Sequence, residues 1–148
     1  MIPYDKKTTQ DFLSVEEMEK LNELGVDFGD AKYTIVKRLN SDDKYIVYGG
    51  HDEWKANTSI PDVLEEVTQT YTIAEIIYKL PEWLIKDGYE GLSFFKDAPF
   101  YGFFYRNSDA DKQEESCCIS EYPIESAAWL LRWCIKNGHG YSKDVSGK

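Results

Sequence analysis

Leu13-Ser14-Val15-Glu16-Glu17-Met18 opens, and Lys44-Tyr45-Ile46-Val47-Tyr48 closes, the stretch whose reading decides the fold class. It begins with a capping box: the Ser14 hydroxyl is placed to accept from the Glu17 amide while the Glu17 carboxylate reaches back, with Leu13 and Met18 at the two positions of a hydrophobic staple. Val15, Met18, Leu21 and Leu24 then recur at helical spacing, Gly25 supplies a left-handed terminator, and Val26 is placed to touch Leu21. This spacing predicts a helix over 15–24. The period then changes. Tyr33-Thr34-Ile35-Val36-Lys37 and Lys44–Tyr48 are rich in β-branched and aromatic residues, and Asn40-Ser41-Asp42-Asp43 between them is a polar turn cluster, so the two runs read as a hairpin. A capped helix followed by an antiparallel strand pair points to an α+β chain.

Working outward, Gly49-Gly50 ends the second strand and 51–61 reads as a loop carrying His51, Asp52, Glu53 and Trp54. The apolar positions Val63, Leu64 and Val67 are compatible with either a strand or a helical turn. Thr72-Ile73-Ala74-Glu75 repeats the capping-box logic, with Tyr71 and Ile76 as the staple; Ile73, Ile76, Ile77 and Leu80 form a stripe that Pro81 stops. Trp83-Leu84-Ile85 reads as extended and is followed by Asp87-Gly88, a short-hairpin signal. Strands are predicted at 92–95 and 100–105 around the turn Lys96-Asp97-Ala98-Pro99. Residues 107–116 read as an acidic loop and Cys117-Cys118-Ile119 as a short strand. Pro123 suits the first position of a helix whose face carries Ile124, Ala127, Ala128, Leu131, Cys134 and Ile135, and which Gly138 ends.

The helix-plus-hairpin order at 14–48 returns at 72–105, a weak internal repeat. The expected architecture is one α+β domain over 1–148: an antiparallel sheet with helices packed on one face, built from two α-β-β units and a C-terminal core helix. Residues 1–10 and 142–148 are expected to fray.

The chain has 148 residues, with 27 Asp and Glu against 17 Lys and Arg, a formal net charge of −10. That length suits one ordinary domain, and 42% hydrophobic residues are too many for general disorder. The charge argues against direct nucleic-acid binding, because phosphate contacts need clustered Lys or Arg, and none forms a run longer than Lys6-Lys7 or Lys37-Arg38. Cys117, Cys118 and Cys134 are odd in number and two are adjacent, so they form no disulfide framework; reduced thiols and a cytoplasmic location follow as the simplest expectation. The first residues lack the apolar region of a signal peptide, and no apolar run approaches the ~20 residues of a membrane span.

Few residues suggest chemistry. His51 and His139 are the only histidines. No Gly-x-Ser-x-Gly elbow, His-Glu-x-x-His, Cys-x-x-Cys or Gly-rich phosphate loop is present. His51-Asp52-Glu53 is the most suggestive tripeptide, since an imidazole beside carboxylates can hold a metal or act as a base; a polar loop after Gly49-Gly50 is the plainer reading. Asp109-Ala110-Asp111 with Glu114-Glu115 lacks the central Gly and the closing Glu of a calcium loop. Aromatic residues are dense in 94–105, where both faces of the strand are apolar. Such a strand is either covered on both sides or presents an aromatic surface to a partner.

Three pieces carry a resemblance: Leu13–Glu17 with Leu21 and Leu24-Gly25-Val26-Asp27; Tyr71–Ile77 with Leu80-Pro81; and Ala127-Ala128-Trp129-Leu130-Leu131-Arg132-Trp133-Cys134-Ile135-Lys136-Asn137-Gly138. Together they resemble a group of small uncharacterised proteins carried by phages, prophages and mobile elements of Bacteroides-type gut bacteria. The resemblance covers most of the chain through structural motifs and implies no catalytic residues. The aromatic run at 94–105 and the acidic 109–115 segment lie outside it.

The expectation is therefore a non-catalytic, acidic interaction protein of mobile-element origin without a cofactor or metal, acting on a host protein and away from membranes. Its acidic surface would occupy a basic groove. One alternative is a small-ligand module stacking a nucleotide-like molecule near Tyr101 and Trp129; another is a metal-dependent hydrolase using His51 and Asp52. Candidate contacts are His51, Trp54, Tyr101, Tyr105 and Trp129.

Overall fold

Ser14 caps the first helix as its sequence predicts: its hydroxyl accepts from the Glu17 amide at 3.2 Å, and helix α1 runs Val15–Glu23. At the other end the Val26 amide donates to Leu21 O and the Gly25 amide to Asn22 O, the paired bonds of a Schellman ending, with Gly25 at φ +85°. These features belong to a computed structural model that describes residues 1–84 and 86–142. The chain divides into two compact units, Met1–Thr72 and a second that begins at Ile73. The fold class is α+β, with the strands divided between two antiparallel sheets.

The first unit holds β1 (Ile2–Pro3), β2 (Tyr33–Arg38), β3 (Lys44–Tyr48) and β4 (Leu64–Thr70) in the order β1-β3-β2-β4. Residues 1–10, expected to fray, are tied down: Ile2 and Pro3 pair with Ile46 and Tyr45, and Thr8–Gln10 form a 3-10 turn held by Asp5. The ambiguous stretch at 63–67 resolves as the start of β4. Both faces of this sheet are covered. Ile35 and Ile46 pack with Phe12 on one side, joined by Val15 of α1 and by Val67. Val36, Val47 and Leu64 pack with Trp54 on the other. The stretch read as loop at 51–61 folds into two 3-10 turns, Glu53–Asn57 and Pro61–Val63, and the first delivers Trp54 to that core.

A bulge sets which side of β4 faces which core. Ile35 pairs with Thr68 but Val36 pairs with Glu66, so Val67 is the extra residue. Without the extra residue, Val36 would face Val67, and the side chains of β4 beyond that point would exchange faces. The bulge therefore places Glu66 with Leu64 on the Trp54 side and Val67 on the Phe12 side.

The second unit contains α2 (Ile73–Lys79), β5 (Tyr89–Asp97), β6 (Phe100–Asn107), α3 (Ala110–Glu115), β7 (Cys117–Ser120) and α4 (Pro123–Lys136), with strand order β5-β6-β7. Asp87 and Gly88 both take positive φ, 64° and 77°, the signature of the tight turn that Asp-Gly predicts. Behind that turn the strand expected at 83–85 amounts to a single bridge, Trp83 to Gly91; Ile85 lies outside the described residues. The acidic loop expected at 107–116 contains α3, whose N-cap Asp109 accepts from the Asp111 amide at 3.0 Å. One helical turn or so with no apolar stripe leaves nothing for periodicity to detect. α4 packs on β6 and β7 and against α2. Ile124, Ala127, Ala128, Leu131 and Cys134 are buried as its stripe predicts, Ile135 is only half-buried, and Ser126 and Leu130 are buried as well.

Each unit has a helix followed by a hairpin, which is the pattern of the sequence echo. The third strand joins differently, however: β4 pairs with the first hairpin strand, β2, whereas β7 pairs with the second, β6. Of the tail expected to fray, 143–148 lie outside the described residues; Ser142 is held by a bond from its amide to Lys79 O at 2.9 Å.

Candidate functional site

In the first unit, chemistry gathers where the turn after β3 meets β4. Gly49 and Gly50 are required there by close approach. A Cβ on Gly49 would lie 2.7 Å from the Trp54 amide nitrogen, and one on Gly50 would lie 2.9 Å from Ala31 O. The tight turn they allow leaves Asp52 at φ +60° and brings His51, Asp52 and Trp54 over Glu66 of β4. His51 Nδ1 lies 2.7 Å from Glu66 Oε2, and its Nε2 lies 3.2 Å from Asp52 Oδ2. The Trp54 indole donates to Glu66 Oε1 at 2.9 Å, and Lys55 Nζ meets the other Asp52 oxygen, Oδ1, at 3.3 Å. His51 also lines a polar cleft of about 260 Å³ with Asp30, Lys32, Gly49, Gly50 and Glu53.

The electrostatics follow from this wiring. Burial by itself pushes the Glu66 carboxyl up. Hydrogen bonds from His51, Trp54 and the Asp52 amide, with the Gln69 side-chain amide nearby, outweigh that effect and hold it below the ordinary carboxylate range. The hydrogen bond to Glu66, then the charges of Glu66 and Asp52, raise His51 above the ordinary imidazole value. His51 and Asp52 are exposed, while Glu66 is mostly covered. Among the described residues, His51, Asp52 and Glu66 form the one group of three that brings potential metal-ligand atoms within 4.8 Å of one another.

In the second unit the aromatic strand separates into two faces. Phe103 and Tyr105 turn toward α4: the Phe103 amide donates to Ser126 Oγ at 2.8 Å, and that hydroxyl donates to Cys118 O at 2.6 Å. The opposite face carries Phe95, Phe104, Cys117 and Ile119, which with Gln113 and Glu114 of α3 line an apolar groove of about 350 Å³. Gly102 shapes its floor. A Cβ there would lie 2.2 Å from the Phe95 ring, so only glycine lets that ring cover the middle of the sheet. Phe95 and Phe104 meet at 6.0 Å between ring centroids, and Ile119 is 60% exposed.

The five sequence-derived candidates thus part company. His51 and Trp54 meet through Glu66. Tyr105 is fully buried, its hydroxyl bonded to Pro81 O and its ring stacked on Trp133, so it is a core residue and not a surface contact. Tyr101 stacks on Phe94 beneath the Lys96 ammonium, and Trp129 is half-buried on α4; among the described residues no ring contact joins the two. A wider cleft of about 870 Å³ among Ile77, Tyr78, Trp83, Gly91 and Arg106 includes none of the five. Glu66 is the residue that sequence reasoning missed. Its signal was its place two residues after Leu64 on a strand, which puts both on one face.

No disulfide joins the three cysteines; burial pushes the Cys134 thiol up to about 12, and burial followed by the Cys118 charge raises Cys117. No described helix is long and apolar enough to cross a membrane. No protein-family model, curated protein or solved structure matches the chain.

Proposed function

We propose that this chain is a non-catalytic binding protein of mobile-element origin that captures a basic, apolar-anchored segment of a host protein on the open face of β5–β7. One observation carries the reading: an apolar groove floored by Phe95, Phe104, Cys117 and Ile119 lies directly beside Glu114 of the acidic helix α3. Aromatic and aliphatic floors of this kind take up an anchoring side chain, and their energy comes from removing apolar surface from water. Acids at the rim add orientation and speed of encounter rather than much affinity. Glu114 on α3 therefore selects a partner whose anchor is flanked by Lys or Arg, and the net charge of −10 favours the same class of partner at longer range.

The test is a titration of the isotope-labelled full chain with a probe peptide carrying one Phe between lysines. Amide shifts are expected at 95, 104 and 113–119, weakening as salt rises. Ile119→Glu places a carboxylate in the groove at an exposed position and should abolish the shifts without unfolding the chain. Shifts scattered over both units, or binding unchanged in Ile119→Glu, would overturn the proposal.

A further inference from the structure

The His51 cluster belongs to the other unit and plays no part in that groove. We propose that His51 and Asp52 form an open site for Zn²⁺, oriented by Glu66.

The distances decide the roles. Zinc holds nitrogen and carboxylate oxygen at about 2.0–2.2 Å, so two ligand atoms in a tetrahedral shell stand roughly 3.3–3.5 Å apart. His51 Nε2 and Asp52 Oδ2, at 3.2 Å, come close to that separation without moving the backbone. His51 Nδ1 and Glu66 Oε2, at 2.7 Å, are too near to share an ion in that geometry and have the length of a charge-assisted hydrogen bond. This is the arrangement in which a carboxylate accepts the Nδ1 proton of a histidine, fixes its tautomer and leaves Nε2 as the ligand. Glu66 is held for that task by Trp54, 99% buried, whose indole bonds the second carboxylate oxygen.

The rest of the surroundings agree. In the imidazolium the Nε2 proton lies against Asp52 Oδ2; Zn²⁺ binds by displacing that one proton, while the Nδ1 proton stays on its bond to Glu66. Lys55 engages Asp52 Oδ1, the oxygen not aimed at the imidazole. One imidazole with one carboxylate suits zinc better than magnesium or calcium, which take all-oxygen shells. His51 and Asp52 are exposed and His51 opens on the polar cleft beside Gly49-Gly50, so the remaining positions of the ion face water.

The experiment is a Zn²⁺ titration of the untagged full chain, followed by imidazole nitrogen resonances, with His139 as an internal reference. The expected result is a large shift at His51 Nε2 and a small one at Nδ1, with His139 unmoved and Mg²⁺ without effect. His51→Gln and Asp52→Asn should remove binding, and Glu66→Gln should weaken it by about ten- to a hundredfold. Far-UV circular dichroism checks that each variant is folded; Asp52→Asn alters an exposed side chain and keeps the test decisive if Glu66→Gln fails to fold. Binding that survives Asp52→Asn, a shift at Nδ1 in place of Nε2, or a response centred on His139 would overturn the proposal.

Discussion

The indole nitrogen of Trp54 donates to Glu66 Oε1 at 2.9 Å, and this one bond ties the turn after β3 to the bulged strand β4. Trp54 is among the largest fully buried side chains of the molecule, yet its polar edge reaches the carboxylate that meets His51 Nδ1. A core residue thus positions a surface cluster.

Trp54→Phe keeps an aromatic ring in the core but removes that donor. A hydrogen bond to a charged group contributes about 1.5–3 kcal/mol, and the smaller ring leaves space behind, so a loss at the upper end of that range is expected. Urea unfolding measures it. The same variant should lower the His51 pKa toward its ordinary value, because a less firmly held Glu66 carboxylate supports the imidazolium less well.

Gly49→Ala should be the most damaging small substitution in the first unit. The new methyl would sit 2.7 Å from the Trp54 amide nitrogen and 2.8 Å from its Cα, both backbone atoms, at a φ of +118°. Neither the clash nor the strain can be relieved by rotating a side chain. A destabilisation of about 2 kcal/mol or more is expected from the combined effects. Gly25→Ala, where open space surrounds the position, suffers the positive φ alone and should cost roughly 1 kcal/mol.

Ser126→Ala removes a hydroxyl that accepts from the Phe103 amide and donates to Cys118 O inside the second unit. Leaving a buried amide without that acceptor costs about 1–3 kcal/mol. The expected signature is faster hydrogen exchange at the Phe103 amide together with a lowered denaturation midpoint. Unchanged exchange there would show that the bond is dispensable.

The two histidines should titrate on opposite sides of the ordinary imidazole value of about 6.5. Burial, then the Lys86 ammonium, lowers His139, against a smaller opposing pull from Asp87; its ring stacks on Trp133 at 4.9 Å and meets Tyr89 edge-on. A His whose folded pKa lies below its unfolded value contributes stability that is present above the unfolded pKa and lost as pH falls through the folded one. Acidification below about pH 6.5 should therefore weaken the packing around His139. For His51 the sign reverses: its contribution is present below the unfolded pKa and lost as pH rises past the folded one. Ring-proton titrations of wild type and His139→Gln, in metal-free buffer, assign the two transitions. A His139 midpoint at or above 6.5 contradicts the packing argument.

Much of the local structure was legible because the signals are local. Ser14 with Glu17, Gly25 with Val26, and Asp87 with Gly88 lie within a few residues of one another, and their hydrogen bonds and φ values follow from residue type. The stripe of α4 was legible for the same reason: one face of a helix is written at a spacing of three and four. Residues 110–115 escaped because a helix this short has no stripe. β4 stayed ambiguous because its bulge breaks the alternation by which a strand is recognised.

The sequence by itself determined the α+β class, the main caps and turns, the buried face of the last helix, and His51 as a residue of interest. Tertiary structure alone decided that the strands form two sheets, that Tyr105 is core while Phe104 faces a groove, and that Glu66 stands against His51. The physical reason is one of range. Caps and stripes depend on neighbours along the chain, whereas strand pairing, and the single-residue bulge that turns Glu66 to the Trp54 side, depend on partners that meet only when the chain has folded.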